Sequence, residues 1–153
     1  MIKDNNFYTT LSHSAQETER LGAELANEIY NNPDIPKFVA LYGDLGVGKT
    51  AFVRGFVGAV APDAVVKSPT FALVNEYRSG RIRVYHFDMY RVESWDDLYS
   101  SGFFDFYESG GILSVEWAEN IENALPENTI RVTIQRGESD NQRIITIDGG
   151  EII

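Results

Sequence analysis

The stretch from Gly43 to Thr50 reads GDLGVGKT and matches the pattern G-x-x-x-x-G-K-[ST] at every fixed position. An apolar run, KFVALY (37–42), comes directly before it, and AFVRGFVGAV (51–60) comes directly after it. The first run is typical of a buried strand and the second of a helix, so the motif lies at a strand-to-helix turn. An ordinary glycine-rich turn with an unrelated lysine is the alternative, and the two matching flanks disfavour it.

Triphosphate binding explains why these residue types occur at this spacing. Glycines let the backbone curl until successive N–H groups point at phosphate oxygens, and the following helix adds the positive end of its dipole. The ammonium of Lys49 is expected to reach the β and γ phosphates, and the hydroxyl of Thr50 to bind Mg²⁺. The predicted nucleotide-binding residues are Asp44, Leu45, Gly46, Val47, Gly48, Lys49, Thr50 and Ala51.

Two acidic residues that end apolar runs are candidates for organising the metal. Glu116 follows ILSV (112–115), and Asp88 ends VYHF (84–87) in a similar way. A phosphate loop of this kind requires a second carboxylate at the end of a neighbouring strand. Asp88 could instead cap the next turn or pair with Arg91, and Glu116 could be a solvated charge. We expect at least one acid to bind the metal directly or through water, and the residues slightly favour Glu116 as the strand-end acid. Glu116 could instead orient the attacking water.

Three further residues have both a functional and a structural interpretation. Thr70, in the segment Ser68-Pro69-Thr70, could sense the γ phosphate, although the residues alone favour a turn that opens a strand. Trp117 could stack on a nucleotide base or a partner, although packing is the more usual role of tryptophan. His86 lies within an alternating strand pattern and is predicted to be structural.

Composition predicts a soluble, cytoplasmic protein made of one domain, residues 1–153. No apolar stretch approaches the roughly 20 residues of a membrane-spanning helix, and the amino terminus has no signal-peptide pattern. The absence of cysteine excludes thiolate metal sites and cysteine nucleophiles. A formal net charge of -10 disfavours a broad nucleic-acid-binding face, so any role near RNA is expected to pass through a partner protein.

The order of the apolar patterns predicts an α/β fold of the P-loop NTPase type, with three layers and a small mixed sheet that has a parallel core plus antiparallel strands. Helices are predicted at 14–30, with Ser14 as N-cap and Glu17 in a capping box, and at 49–60 and 94–99. Strands are predicted at 7–11, 37–42, 70–77, 81–87, 111–115, 129–135 and 143–147. The aromatic run at 103–107 is expected to form either a partner-binding loop or packing beneath a long connection.

Taken together, these segments resemble the TsaE (YjeE) family of bacterial P-loop ATPases. Four segments match the family in one order along the chain: 43–50, SPTF (68–71), YHFDMYR (85–91) and VEW (115–117). The P-loop alone is common to many families, whereas the three later segments at this spacing are much more specific. The resemblance covers roughly residues 12–126. Val47 and Met89 stand where the family more often has alanine and leucine, and we expect little effect from either.

The resemblance implies a role in making N6-threonylcarbamoyladenosine at position 37 of tRNAs that read codons beginning with A. In that family TsaE works with TsaB and TsaD. TsaD carries the transfer chemistry, and TsaE is a weak Mg²⁺-dependent ATPase whose hydrolysis of ATP is needed for repeated turnover. TsaB and TsaD are therefore the expected partners, and tRNA is expected to be reached only through them. The resemblance assigns the phosphate lysine to Lys49, the metal-binding threonine to Thr50, and the strand-end acids to Asp88 and Glu116. It also assigns the sensing hydroxyl to Thr70 and a site tryptophan to Trp117.

Two other functions are compatible with a P-loop of this type. A small-molecule kinase needs an acceptor pocket and usually an arginine-bearing lid, whereas the stretch 94–109 is acidic and aromatic and contains no arginine. A nucleotide-gated binding module, in which hydrolysis is incidental, has the same motifs. The sequence also lacks the N-K-x-D segment that reads guanine in many GTPases, which favours ATP and ADP as the bound nucleotides.

Overall fold

The computed structural model describes residues 7–35, 37–44, 46–66, 74–79 and 82–149. Seven strands within these residues form one sheet in the order β1-β7-β6-β2-β5-β4-β3. The strands are β1 (Phe7–Ser12), β2 (Phe38–Tyr42), β3 (Val74–Ser79), β4 (Ile82–Asp88), β5 (Ile112–Glu116), β6 (Ile130–Arg136) and β7 (Arg143–Asp148). The helices are α1 (Ala15–Asn31), α2 (Lys49–Val60), α3 (Trp95–Ser100) and α4 (Phe103–Glu108), followed by a 3-10 segment at Ala118–Ala124.

The sheet has a parallel centre and antiparallel edges, as the sequence predicted. Strand β2 pairs in parallel with both β5 and β6, and β4 pairs in parallel with β5. The outer pairs β1–β7, β6–β7 and β3–β4 are antiparallel. Because the carboxyl ends of parallel strands meet at one edge, β2, β4 and β5 deliver their last residues to the same place.

Helices cover both faces of this sheet. One apolar cluster joins α1 and α2 to the sheet and includes Leu25, Phe56 and Val84. A second cluster on the opposite face joins α3 and α4 to the sheet and includes Phe87 and Phe103. Since neighbouring residues of a strand point to opposite faces, β4 contributes Val84 to the first cluster and Phe87 to the second. The arrangement confirms the three-layer α/β fold.

The amino terminus of α1 follows the predicted capping pattern. Ser14 Oγ accepts a hydrogen bond from the Glu17 N–H at 3.1 Å, and Glu17 Oε2 accepts one from the His13 N–H at 2.7 Å. These two bonds satisfy backbone donors that would otherwise lack partners at the first turn. The cap fixes where α1 begins, and that position matters because the first turn of α1 lies beside the phosphate loop.

Two short elements after α3 were not predicted. The aromatic run forms α4, and the chain after Trp117 forms the 3-10 segment. Phe103 is buried, and its ring contacts those of Phe38 and Phe87 edge-on at centroid distances of 5.9 and 5.5 Å. Packing is therefore the main role of the run, although Tyr107 remains 44% exposed.

The predicted hairpin is present, with shifted bounds. Its first strand was predicted at 70–77, and the described part of β3 runs from Val74 to Ser79. Residues 70–73 and Gly80, which was predicted to lie in the turn, fall outside the described residues. In the part of the chain that the structure describes, none of the helices has the length and apolar character needed to cross a membrane.

Candidate functional site

The segment 43–48 connects the end of β2 to the start of α2. Three of its glycines have positive φ angles, 149° at Gly43, 75° at Gly46 and 120° at Gly48. A Cβ atom added to Gly43 would lie 2.6 Å from the Ile134 carbonyl oxygen, so only glycine fits there. Gly48 is the N-cap of α2 and supplies no side-chain hydrogen bond. The first N–H groups of α2 are therefore not capped by that residue's side chain and can serve an anion.

Lys49, the first residue of α2, points into the loop and not into solvent. Lys49 is only 6% exposed, and its Nζ donates to the Gly43 carbonyl oxygen at 2.7 Å. The same Nζ lies 4.7 Å from the centroid of the Trp117 ring, within range of a cation–π interaction. An ammonium has three donors, and those not used by Gly43 suit phosphate oxygens. Thr50 follows at an exposed position, and Ala51 is half-buried.

The two predicted acids lie side by side at the carboxyl ends of β4 and β5. Asp88 and Glu116 are register partners across these strands, and Leu41 of β2 is the register partner of Glu116 on its other side. Glu116 is only 6% exposed, so it is not the solvated charge that the sequence allowed. Asp88 is half-buried, and its Oδ1 accepts from the Tyr90 N–H at 2.9 Å, as in the capping alternative.

The donor atoms in this region suit Mg²⁺. Thr50, Asp88 and Glu116 provide hydroxyl and carboxylate oxygens, which are the ligands that this hard cation prefers. No group of three or more acidic or histidine side chains that could hold a metal occurs within the described ranges. Mg²⁺ in nucleotide sites is commonly bound by one or two carboxylates together with phosphates and water.

Trp117 occupies an unusual backbone position between β5 and the 3-10 segment. Its φ angle is 57°, in the left-handed region, which costs about 1–2 kcal/mol for a residue with a side chain. Its ring lies 4.9 Å from the ring of Tyr90, and Asn120 Nδ2 donates to the carbonyl oxygens of Met89 and Tyr90 at 2.8 and 3.2 Å. The Tyr90 ring therefore supports the Trp117 ring, and Asn120 holds the backbone that carries Tyr90.

Two buried polar residues next to Glu116 have a closer connection to the site than the sequence suggested. His86 Nε2 lies 2.8 Å from Glu116 Oε2, and His86 Nδ1 lies 3.3 Å from Ser114 Oγ. The predicted structural role of His86 therefore includes a direct contact with a candidate site acid. The alternation of polar residues at 86 and 88, and at 114 and 116, is the sequence signal for this arrangement.

A cleft of about 290 Å³ opens beside the phosphate loop. Its walls come from the first turn of α1, the phosphate loop and the connection between β6 and β7. The lining residues are Ser14, Ala15, Thr18, Gly46, Val47, Gly48, Ala51, Asp140, Asn141 and Arg143. The cleft adjoins the phosphate loop at Gly46, Val47 and Gly48.

Arg143 ties the phosphate loop to the last hairpin, and sequence patterns did not identify it. Its Nε donates to the Val47 carbonyl oxygen at 2.7 Å, and its Nη1 donates to the carbonyl oxygens of Asp140 and Gln142 at 2.7 and 2.9 Å. The guanidinium thus holds the Val47 carbonyl oxygen in a charge-assisted hydrogen bond. If this oxygen pointed into the loop instead, it would repel a phosphate. Arg143 and Val47 lie 96 positions apart in the sequence, so no local sequence pattern indicates that they meet.

Replacing Arg143 with alanine is expected to weaken ATP binding about tenfold, because a hydrogen bond from a charged group contributes about 1.5–3 kcal/mol and here holds the loop in shape. Titration of the variant with ATP and Mg²⁺ measures the change. Arg78→Ala is the matched control, since Arg78 pairs with Glu76 on β3 at the opposite edge of the sheet. Equal affinities for Arg143→Ala and the unchanged chain would rule out this role.

The end of β2 is anchored by Tyr42. Its hydroxyl donates to Glu122 Oε2 at 3.0 Å, and Arg131 Nη2 contacts Glu122 Oε1 at 3.0 Å. Burial, and next the hydrogen bond to Glu122, raise the pKa of Tyr42 to about 12. The hydroxyl is protonated at neutral pH and links the end of β2 to the 3-10 segment. This end of β2 leads directly into the phosphate loop.

Two predicted site residues cannot be placed. Leu45 and Thr70 lie outside the described residues, together with Ser68 and Pro69. Their proposed contacts with nucleotide stay predictions. The other predicted site residues lie on the phosphate loop, at the start of α2 or at the ends of β4 and β5.

Comparisons with known proteins point to one family. The family described as "Threonylcarbamoyl adenosine biosynthesis protein TsaE" matches residues 12–145. A protein of Treponema pallidum named tRNA threonylcarbamoyladenosine biosynthesis protein TsaE is 34% identical over 137 residues, which are 90% of this chain and 97% of that protein. A Bacillus subtilis protein of the same name is 38% identical over 106 residues, 69% of this chain and 66% of the relative.

Two further comparisons agree. A Haemophilus influenzae protein of the same name is 41% identical over 96 residues, 63% of this chain and 61% of the relative, so some of these matches span slightly less than two thirds of the relative. Among solved structures, the crystal structure of Bacillus subtilis YdiB superposes with a TM-score of 0.71 at 26% identity. That match covers 95% of this chain and 86% of YdiB.

Proposed function

This chain belongs to the TsaE family, whose name assigns its members to threonylcarbamoyladenosine biosynthesis, and on that premise we propose that it serves tRNA modification by binding and hydrolysing ATP. The observation that carries the proposal is the environment of Lys49. Its ammonium is enclosed between the Gly43 carbonyl and the Trp117 ring, at the first turn of a helix whose N-cap provides no side-chain bond. A triphosphate tail supplies the negative charge that this arrangement lacks.

In the proposed site, four parts of the protein contact the nucleotide. The loop glycines and Lys49 bind the phosphates. The cleft lined by Thr18 and Asn141 is proposed to receive the nucleoside. Trp117, whose ring lies 4.7 Å from Lys49 Nζ, is proposed to contact the nucleotide. Thr70 is proposed to sense the γ phosphate through its hydroxyl.

Mg²⁺ is the proposed metal cofactor, and when bound it neutralises charge on the phosphates. Thr50 would hold it from the start of α2, with Asp88 and Glu116 contributing carboxylates directly or through water. Within the chain itself, Lys49 balances the phosphate charge as the terminal bond breaks. Glu116 is the side chain proposed to orient the attacking water, since its carboxylate is buried and held by a neighbouring histidine.

The proposed partners are homologues of TsaB and TsaD. A net charge of -10 makes a broad direct contact with tRNA unfavourable, so tRNA would be reached through these proteins. The proposed location is the cytoplasm, where tRNA and ATP are both available.

Replacing Glu116 with glutamine tests the catalytic part of the proposal. We expect ATP turnover to fall by about a hundredfold, within the range for loss of a group that positions or activates water, while ATP affinity changes less than about threefold. Phosphate release by the chain with its partners measures turnover, and titration with ATP measures affinity. Glu119→Gln is the control, because Glu119 is exposed one turn beyond the site. Unchanged turnover in Glu116→Gln would contradict the assignment.

The same variant separates an ATPase from a nucleotide-gated binding module. A reconstituted modification reaction with TsaB, TsaD and tRNA should stop after a single round when Glu116→Gln binds ATP without hydrolysing it. Sustained modification by this variant would instead favour the binding module.

A further inference from the structure

Four polar side chains form one patch on β4 and β5. His86 is the register partner of Ser114, and Asp88 is the register partner of Glu116. Because residues two apart on a strand share a face, all four project from the same side of the sheet. Val84, two positions before His86, packs in the cluster formed with α1 and α2, so the patch lies on the face covered by α2.

His86 is the most enclosed member of this patch. It is 1% exposed, and both ring nitrogens have partners: Nε2 lies 2.8 Å from Glu116 Oε2, and Nδ1 lies 3.3 Å from Ser114 Oγ. A carboxylate can only accept hydrogen bonds, so the Nε2 atom must be the protonated donor in this contact. Ser114, itself buried, then fixes the ring from the other side.

Glu116 is thereby held at two points. Its side chain accepts from His86, and its backbone carbonyl oxygen accepts from the Met89 N–H at 3.0 Å. The imidazole bonds Oε2, whereas Oε1 has no protein partner among the described residues and is the oxygen that can meet a water. A carboxylate fixed in this way does not need to be reoriented when substrate arrives, which is how a supporting residue accelerates a reaction without touching the reactants.

We propose that His86, held by Ser114, is a positioning residue for Glu116 in ATP hydrolysis. This inference rests on the proposed function, because it concerns the same site. His86 does not reach the nucleotide in this arrangement, since its ring is buried between β4 and β5 and its Nε2 is already bonded to Glu116. The competing explanation is that His86 only satisfies a buried carboxylate and so supports folding.

Three variants separate these explanations. His86→Met keeps much of the side-chain volume and removes the donor, whereas His86→Gln places an amide N–H near the position of Nε2. Ser114→Ala removes only the hydroxyl that holds the ring. We expect kcat for ATP to fall by about 10–100-fold in His86→Met, the usual effect of losing a residue that orients an active-site ligand, with KM changing less than about threefold. His86→Gln should recover most of this loss, and Ser114→Ala should cost about threefold.

A spectroscopic measurement tests the geometry without nucleotide or metal. The chain has two histidines, His13 and His86, and His13 is exposed, so their ring ¹⁵N signals are distinguishable. Long-range ¹H–¹⁵N spectra of the nucleotide-free protein should show the proton of the His86 ring on Nε2, the atom that contacts Glu116. The exposed ring of His13 serves as the internal control.

Each outcome has a defined meaning. A bare Nε2 on His86, or wild-type kcat in His86→Met, overturns the inference, and so does equal impairment of His86→Gln and His86→Met. If His86→Met fails to fold, Ser114→Ala and His86→Gln, compared with the wild type, still decide the matter. If the wild-type protein hydrolyses no ATP with its partners present, the proposed function is wrong. If His86→Met hydrolyses ATP at the wild-type rate, only the positioning role is wrong.

Discussion

Lys49→Met is expected to weaken the binding of ATP by about a hundredfold or more, because a hydrogen bond from a charged donor contributes about 1.5–3 kcal/mol and Lys49 is proposed to serve two phosphate groups. The fold should survive the change. Lys49 is buried beside Gly43 and Trp117, and methionine retains the apolar stem while removing an ammonium that is costly to desolvate. Titration with ATP and Mg²⁺ measures the affinity, and thermal unfolding measures the stability.

Lys37→Met is the matched control for this experiment. Lys37 is exposed and precedes β2, at the opposite end of the strand from the phosphate loop. Its replacement should leave nucleotide affinity unchanged. If both methionine variants bind ATP as the wild type does, Lys49 does not hold the phosphates and the site assignment is wrong.

Gly55→Ala is expected to destabilise the protein by about 3 kcal/mol or more, because it forces two helix backbones apart. A Cβ atom at Gly55 of α2 would lie 1.8 Å from the Glu19 carbonyl oxygen of α1. A Cβ at Gly22 of α1 would lie 2.1 Å from the Phe52 carbonyl oxygen of α2. Neither obstacle is the end of a flexible side chain, so relief requires movement of the helices. Since α2 begins in the phosphate loop, nucleotide affinity should fall along with stability.

Gly58→Ala, three residues later in the same helix, should raise the free energy of unfolding and not lower it. Among the described residues, no atom beyond the neighbouring backbone of α2 lies within 4 Å of a Cβ built at Gly58, so alanine adds helix propensity worth about 0.5–1 kcal/mol at no packing cost. Denaturant unfolding of the two variants compares them directly. A loss of less than 1 kcal/mol in Gly55→Ala would show that α1 and α2 can separate more easily than their contact implies.

Local patterns in the sequence were sufficient for the elements that build the site. The phosphate loop, the flanking strand and helix, and the cap of α1 at Ser14 each depend on residues close together in the chain. The predicted mixed sheet was also correct, because alternating strands and helices restrict the possible connections. These are the features for which local chemistry and the final fold agree.

Two elements were not predicted from the sequence because they are too short to show a periodic pattern of apolar residues. Helix α4 has six residues, and its burial is decided by ring contacts with β2 and β4, which no local pattern contains. The 3-10 segment follows Trp117, a residue with positive φ that a sequence cannot distinguish from an ordinary strand end. Both elements depend on tertiary packing.

The supporting contacts of the site were missed for a related reason. Arg143 reaches Val47 from a distant strand, and His86 meets Glu116 only because β4 and β5 pair in one particular register. Strand order and register are set by long-range packing, so the sequence predicted which residues have suitable chemistry and not which of them meet. The acids illustrate the difference: both were identified, and a cap at Asp88 was one of the alternatives, but the fold was needed to show that this capping bond forms and that Glu116 is buried.

Isothermal titration calorimetry of the chain with ATP, in the presence of Mg²⁺, tests most directly whether the loop from Gly43 to Thr50 grips a triphosphate. The account predicts a single-site binding heat with the unchanged chain and its loss in Lys49→Met under the same conditions. An absence of binding heat with ATP, ADP and other nucleotides, from a chain shown to be folded, would contradict it.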